Sequence, residues 1–331
     1  HIVMSKNCSH CHQIFTISEQ DRSFYAKVSP VFNQKKYLVS DPALCPPCRQ
    51  QRRLAFRNER NLYQRSCSLY QKNIISIYSS DKSITVYCPS CYWSDQWDPF
   101  SYGRDFNPNR PFFEQFQELF NAVPKLGVIL IETENSDYNN SCGQLKNCYL
   151  CFDGGNAQDC LYLETFNANN DCIDGLCLQQ SQFCYECINC LNCYNVQHSS
   201  FSQNCSDSYF LMDCSNLKHC FGCINLNQKE YFIFNKPYTK EEYEKTIQSF
   251  HLENFTQREN MKIQVNDFFQ KFPRRAYRGN QAENCTGNNI VNSQNSFDCF
   301  DCKDIQDCRY CCQLIQTATD CEDVDKWGSN T

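Results

Sequence analysis

Cysteine sets the terms for this chain. It supplies 28 of 331 residues, in two patterns with different physical meanings. Toward the start the cysteines come as Cys-x-x-Cys pairs, a spacing that lets two thiolates reach one tetrahedral ion at about 2.3 Å each. Farther along they recur at a fixed short interval, which implies stacked coils that bury their inner faces only against their neighbours. As metal ligand or as core filler, the sulfur would be reduced. The start, His1 to Asn7, lacks the apolar stretch of a secretory signal, Met4 reads as a natural start, and no run approaches the ~20 apolar residues of a membrane helix. The expectation is a cytoplasmic protein without a membrane span, in a reducing compartment where clustered cysteines bind metal or fill cores. Apolar residues at 41% are enough to build such cores.

Cys8-Ser-His-Cys11 and Cys45-Pro-Pro-Cys48 are two such pairs. The segment between them reads as a β excursion through Gln13-Ile-Phe-Thr-Ile and Ser23-Phe-Tyr-Ala-Lys-Val. Cys8, Cys11, Cys45 and Cys48 are therefore expected to hold a structural Zn2+ in a zinc ribbon, an ion that supplies much of the folding free energy of a unit this small. A second ribbon follows, with Cys67-Ser-Leu-Tyr70 as one knuckle and Cys88-Pro-Ser-Cys91 as the other. Tyr70 stands where a fourth thiol belongs. Either Cys67, Cys88 and Cys91 recruit His10, His12 or a water for a second Zn2+, or this ribbon holds no metal.

Between the ribbons, Arg49 to Arg65 is free of Gly and Pro and full of helix formers. On a helix Arg49, Arg52, Arg53, Arg57 and Arg60 share one arc with Phe56 and Tyr63. Such a stripe suits phosphate contact and base stacking, which makes it a candidate nucleic-acid surface, RNA foremost. The alternative is a solvated face whose arginines pair with acidic residues elsewhere in the chain. The charge distribution allows both: through Arg110 there are 15 Lys and Arg against 8 Asp and Glu, a balance of +7, while the remainder carries 16 against 29, a balance of −13. Arg110 to Phe120 reads as an amphipathic helix, capped by Asn109 with Pro111 in its first turn, that buries Phe112, Phe113, Phe116, Leu119 and Phe120. Leu126 to Ile131 reads as a buried strand.

Cys148, Cys160, Cys172 and Cys184 recur every twelve residues, and Cys193 and Cys205 keep that interval. Asn156, Asn167, Asn169, Asn170, Asn192, Asn195 and Asn204 suit the corners of tight coils, and small thiols suit the bore. Residues 135–234 therefore read as a parallel β-solenoid. The pattern returns at Asn295 to Cys302, Asp307 to Tyr310 and Asp320 to Gly328 and stops early, so a longer chain or a capping partner is expected. Between the two copies, Thr239-Lys-Glu-Glu242 and Thr256-Gln-Arg-Glu259 are capping boxes, and Pro273 marks the end of a two-helix hairpin. In it Tyr243, Ile247 and Phe250 would face Met261, Ile263, Phe268 and Phe269. Cys184, Cys187, Cys190 and Cys193 form a run whose alternatives are a further metal site, an iron–sulfur (Fe–S) cluster, disulfides or reduced structural thiols. The spacing departs from the ferredoxin run, which has three residues before its last Cys.

Several of these segments together resemble a known family: Cys8-x2-Cys11, Leu44 to Arg53, Arg57 to Tyr63, Trp93 to Trp97, Tyr102 to Phe106, Pro111 to Phe116 and Cys220 to Cys223. They are similar to uncharacterised zinc-ribbon, cysteine-rich repeat proteins of candidate-phyla bacteria with reduced genomes. The resemblance implies cytosolic zinc proteins with two ribbons and a repetitive cysteine-rich tail extending beyond Thr331, and it brings no established activity. The family pattern has Cys where Tyr70 stands and Gly where Gln71 stands.

The expected fold is mainly β with helical insertions: a zinc ribbon with its basic helix (1–66), a degenerate second ribbon and connector (67–134), a β-solenoid (135–234), a helical hairpin (235–280) and a second, incomplete solenoid (281–331). No catalytic residues stand out, since the six histidines are scattered and neither a P-loop nor a dinucleotide fingerprint is present. The functional expectation is a non-enzymatic zinc protein whose basic head binds nucleic acid and whose acidic solenoid docks a protein partner. The alternatives are a disulfide-stapled surface solenoid and an Fe–S or thiol redox carrier.

Overall fold

The computed structural model describes residues 4–55, 58–176, 194–312, 315–319, 321 and 323–325. Strands dominate, most of them in parallel sheets, and the chain divides into two compact units: His1–Arg57 with Arg274–Thr331, and Asn58–Pro273. Among the described residues no helix is long and apolar enough to cross a membrane.

In the first unit, Met4–Asn7 pairs antiparallel with Ile14–Ile17, so that Cys8 and Cys11 lie in the turn between two strands. Helix α1 (Glu19–Val28) follows at once. Ser18 accepts from the Asp21 backbone N–H while the Asp21 carboxylate accepts from the Ser18 N–H at 2.7 Å, a reciprocal cap that starts the helix. Ser23 to Val28 is thus helical, not the strand its alternating pattern suggests. Helix α2 (Pro46–Leu54) begins on Cys45, with proline in the first turn where a missing N–H costs nothing. It stops at Leu54, well short of the helix expected to run to Arg65.

The same unit carries parallel strands at Gly279–Glu283, Gly287–Gln294, Cys299–Gln306 and Ile315–Thr319. Gly287 pairs with Cys299, twelve residues on. Ile290, Cys299, Cys302, Ile305, Cys308, Cys311 and Cys321 form the core of this stack.

The second unit opens on an Asx turn in which the Asn58 amide accepts from the Asn61 N–H and donates to its carbonyl. Tyr63–Ser66 then pairs with Asn73–Ser76, and the short helix α3 (Pro89–Tyr92) starts on Cys88. Helix α4 (Phe112–Ala122) has Pro111 at its N-cap, where Asn109 was expected. Its aromatic face is not core: Phe112, Phe113, Phe116 and Phe120 are all exposed, Phe113 by 80%, and Phe112 stacks on Phe116. The stretch expected as one buried strand is broken around Gly127 and buried Val128, with Ile129 and Ile131 exposed.

Parallel strands at Leu130–Glu134, Asn140–Lys146, Phe152–Gln158 and Glu164–Asn170 follow, and a second run continues at Tyr194–Gln197, Ser206–Met212, Lys218–Ile224 and Glu230–Ile233. Asn140, Phe152 and Glu164 are Cα partners in succession, as are Ser206, Lys218 and Glu230, so one coil takes twelve residues. Each coil is built of triplets. From Asn147 through Asp171 every third residue is left-handed, with φ between 52 and 59°, and the residue after each points into the bore. That inward set includes Cys148, Cys151, Ala157, Cys160, Leu163, Phe166 and Cys172.

Residues three apart therefore face the same bore. Among the expected corners, Asn156, Asn195 and Asn204 are left-handed, whereas Asn169 points inward and is fully buried, and Asn192 lies outside the described residues.

Helix α5 (Lys240–Ser249) has the expected capping box on Thr239 and Glu242. Helix α6 (Phe255–Phe269) is capped by Asn254, two residues before Thr256. Tyr243, Val265 and Phe269 close over Phe210, Phe221, Ile224 and Ile233 on the outside of the coils. Gly222, at φ 59°, makes room for this cover, because a Cβ there would meet the Phe234 ring at 3.1 Å and Val265 at 3.4 Å. Ile263, expected at the hairpin interface, is exposed instead.

Candidate metal centres

Each unit builds a thiol cluster in the same way. In the first, the Cys8 N–H donates to the Gln13 carbonyl and the His12 N–H to the Cys8 carbonyl, folding the turn so that Cys8 and Cys11 project together. Cys45, at the start of α2, donates its N–H to the Cys8 sulfur at 3.4 Å, and Cys48 lies in the first helical turn. In the second unit the Cys67 N–H donates to Lys72 and the Gln71 N–H to Cys67, and Cys88 at the start of α3 donates its N–H to the Cys67 sulfur, again at 3.4 Å. His12 and Gln71 occupy the same left-handed position, at φ 61 and 56°.

The sulfurs of Cys8, Cys11, Cys45 and Cys48 lie within 4.8 Å of one another, as do those of Cys67, Cys88 and Cys91. Cys11 and Cys45 are 3.7 Å apart, Cys67 and Cys91 3.6 Å, and Cys88 and Cys91 3.2 Å. Thiolates about 2.3 Å from a tetrahedral ion stand roughly 3.8 Å from each other, so both clusters have the spacing a metal ion requires. The second has three donors, and neither group of potential ligands includes a histidine. His10 sits by the first cluster, its Nδ1 at 3.5 Å from the Cys48 sulfur. Tyr70 is exposed and its hydroxyl is paired with the Gln96 amide.

Charge within the clusters is uneven. Burial opposes ionisation of Cys8, yet the backbone N–H groups of Cys11, Cys45 and His10 outweigh it and lower this thiol to about 5. Burial, then the neighbouring sulfurs, push Cys48 up to about 12. The second cluster repeats the division: burial resists, but Ser90, Cys91 and Cys67 bring Cys88 down to about 7, while burial and its partners raise Cys91 to about 12. A cation held among the sulfurs would favour the charged form of Cys48 and Cys91, which burial disfavours.

Elsewhere sulfur is packing. Many bore thiols lie within donor reach of the carbonyl two residues back and of the one nine residues on, as Cys142 does of Asn140 at 3.2 Å and of Cys151 at 3.3 Å, and Cys214 of Met212 at 3.3 Å and of Cys223 at 3.4 Å. Burial raises Cys142 and Cys214 to about 12 and Cys205 to about 11. No disulfide joins any two of the described cysteines. Cys184, Cys187, Cys190 and Cys193 lie outside the described residues.

The arginines expected to form one stripe are dispersed. Arg49 pairs with Asp323 and stacks on Tyr310, while Arg53 reaches Asp325 at 2.6 Å and Asp323 at 3.3 Å. Arg60 lies beyond the helix and pairs with Glu164; Arg52 is exposed, and Arg57 lies outside the described residues. A parallel contact joins Arg309 to Asp21, both buried, with the Arg309 guanidinium also 5.3 Å from the Phe297 ring centre. These carboxylates were not singled out from the sequence. Its only trace of them was the opposite charge of the two portions of the chain. No protein-family model matches the chain, and no curated protein is similar enough to count as a relative.

Proposed function

We propose that this is a non-enzymatic, metal-stabilised scaffold protein of a reducing, cytoplasmic compartment, in which Zn2+ at Cys8, Cys11, Cys45 and Cys48 fixes a ribbon-like head and the β-solenoid coils present an acidic surface to a protein partner. The observation that carries it is the convergence of four sulfurs contributed by a turn and a helix start 34 residues apart at their nearest pair. Thiolate donors favour Zn2+ among the common divalent ions. A closed four-sulfur set leaves no position for substrate. Corner ladders such as Asn289 to Asp301 at 2.7 Å and Asn292 to Asp304 at 2.6 Å give the coils a rigid acidic edge for a basic partner.

Within this reading α2 belongs to the fold. Two of its guanidiniums are already matched by carboxylates, which disfavours nucleic acid as the ligand of the arginine stripe. Elemental analysis tests the metal: the intact protein should retain Zn2+ through gel filtration, and Cys8→Ser with Cys45→Ser should lose one equivalent. Equal metal in the two would overturn the assignment. A salt titration with single-stranded RNA tests the rest, with no salt-dependent binding that Arg52→Glu weakens. Loss of RNA affinity in that exposed variant would restore the nucleic-acid reading.

A further inference from the structure

The two thiol clusters share a backbone scaffold and three buried donors, and they differ at the fourth donor position. In the first cluster Cys8, Cys45 and Cys48 are buried and Cys11 is exposed. In the second Cys67, Cys88 and Cys91 are buried, at 0, 4 and 0% exposure, and exposed Tyr70 takes the place of Cys11. The buried three-quarters of the site is kept, and the donor at the protein surface is lost. Tyr70 does not stand in for it, since its hydroxyl pairs with Gln96.

We infer that Cys67, Cys88 and Cys91 hold a thiophilic divalent cation whose fourth coordination position faces the surface and takes a thiolate from outside the chain. This rests on the metal reading given above for the first cluster. Buried Tyr87 and partly buried Leu69, Ile74, Tyr92 and Trp97 pack against the three sulfurs, so that ligand exchange is favoured at the exposed Tyr70 corner. Three thiolates on a divalent ion leave one negative charge; a fourth thiolate produces the same charge and donor set as the first cluster, which this architecture already accommodates. Soft donors match the soft set already present. The donor is a small-molecule thiol or a cysteine of another protein, and the chemistry at the metal is the same for both. Binding exchanges one neutral ligand for a thiolate, with the thiol proton passing to solvent and no change of oxidation state.

Cobalt(II) substitution of the full chain reads this directly. Two equivalents should give tetrahedral d–d bands, and glutathione should raise thiolate-to-cobalt absorbance by about one part in seven, from seven thiolates to eight. Tyr70→Cys should begin at the higher value and not respond, and Tyr70→Phe should respond as the native protein does. A peptide carrying a single cysteine distinguishes a protein donor from a small thiol by its lower saturating concentration. Uptake of one equivalent only, or a site indifferent to thiol, overturns the inference and leaves the four-sulfur site standing. A changed spectrum in Tyr70→Phe without thiol overturns it in favour of a phenolate ligand. Absence of tetrahedral bands altogether sinks the metal reading itself.

Discussion

Along the bore, cysteine and serine are interchangeable in geometry. Ser199, Ser202, Ser208, Ser293 and Ser296 are buried at the same triplet positions, and Ser208 donates to the carbonyl two residues back at 2.7 Å, as its cysteine neighbours do at longer range. The thiol is there for volume and a weak donor. Cys214→Ser should therefore cost about 1 kcal/mol in urea unfolding, whereas Cys214→Leu should cost about 1–3 kcal/mol by overpacking. Size is matched between coils as well: a Cβ on Gly154 would lie 2.5 Å from the Phe166 ring one coil away. Gly154→Ala should thus lower stability by about 1–3 kcal/mol, and an unchanged urea midpoint would contradict this packing. Gln71, at φ 56°, holds a conformation that glycine adopts without strain, so Gln71→Gly should raise the midpoint by the equivalent of roughly 0.5–1 kcal/mol.

Helix α2, whose one buried residue is Cys48, shows how charge positions an element that has little apolar surface to bury, and α1 adds such a contact to its buried Phe24 and Tyr25. Asp325 is only 5% exposed in its side chain, and Asp21 only 6%. Carboxylates this deep are costly without their partners. Reversing Arg53 to Glu should destabilise the first unit by about 3–5 kcal/mol, while Arg52→Glu on the exposed side of the same helix should stay within about 0.5 kcal/mol. Equal losses in both would show that the helix is not held by these pairs. At α5, the Thr239 backbone N–H and hydroxyl hold the Glu242 carboxyl below its usual range. A depressed folded value means that this cap is intact above the unfolded carboxylate range and is lost as pH falls through the folded value. Helical signal from α5 should accordingly decline on acidification in the native chain and be flat in Glu242→Gln.

How much of this could be read beforehand depends on the distance over which each signal acts. The knuckles, the twelve-residue repeat and the α5 cap are local patterns, and their residues converge as their spacing suggested. Helix α1 was missed because Ser23 to Val28 alternates like a strand, and the deciding contact was the Ser18–Asp21 cap five residues upstream of it. The arginine stripe misled because helix propensity continues past Leu54, while the matching of Arg49 and Arg53 with Asp323 and Asp325 is settled some 270 residues away. The α4 aromatics misled for a related reason: periodicity reports an apolar face, not whether another element covers it.

At the scale of the molecule, the described cysteines divide between two clusters that could hold a metal ion and the inward positions of the parallel strands, and no disulfide joins any of them. Differential alkylation mapped by peptide mass, on protein purified without reductant, tests that division most directly. The account predicts that Cys8, Cys45, Cys48, Cys67, Cys88 and Cys91 become reactive on metal chelation under native conditions. The buried coil cysteines should become reactive only on full unfolding, and as thiols rather than disulfides. Coil cysteines recovered as disulfides, or knuckle cysteines indifferent to chelation, would contradict it.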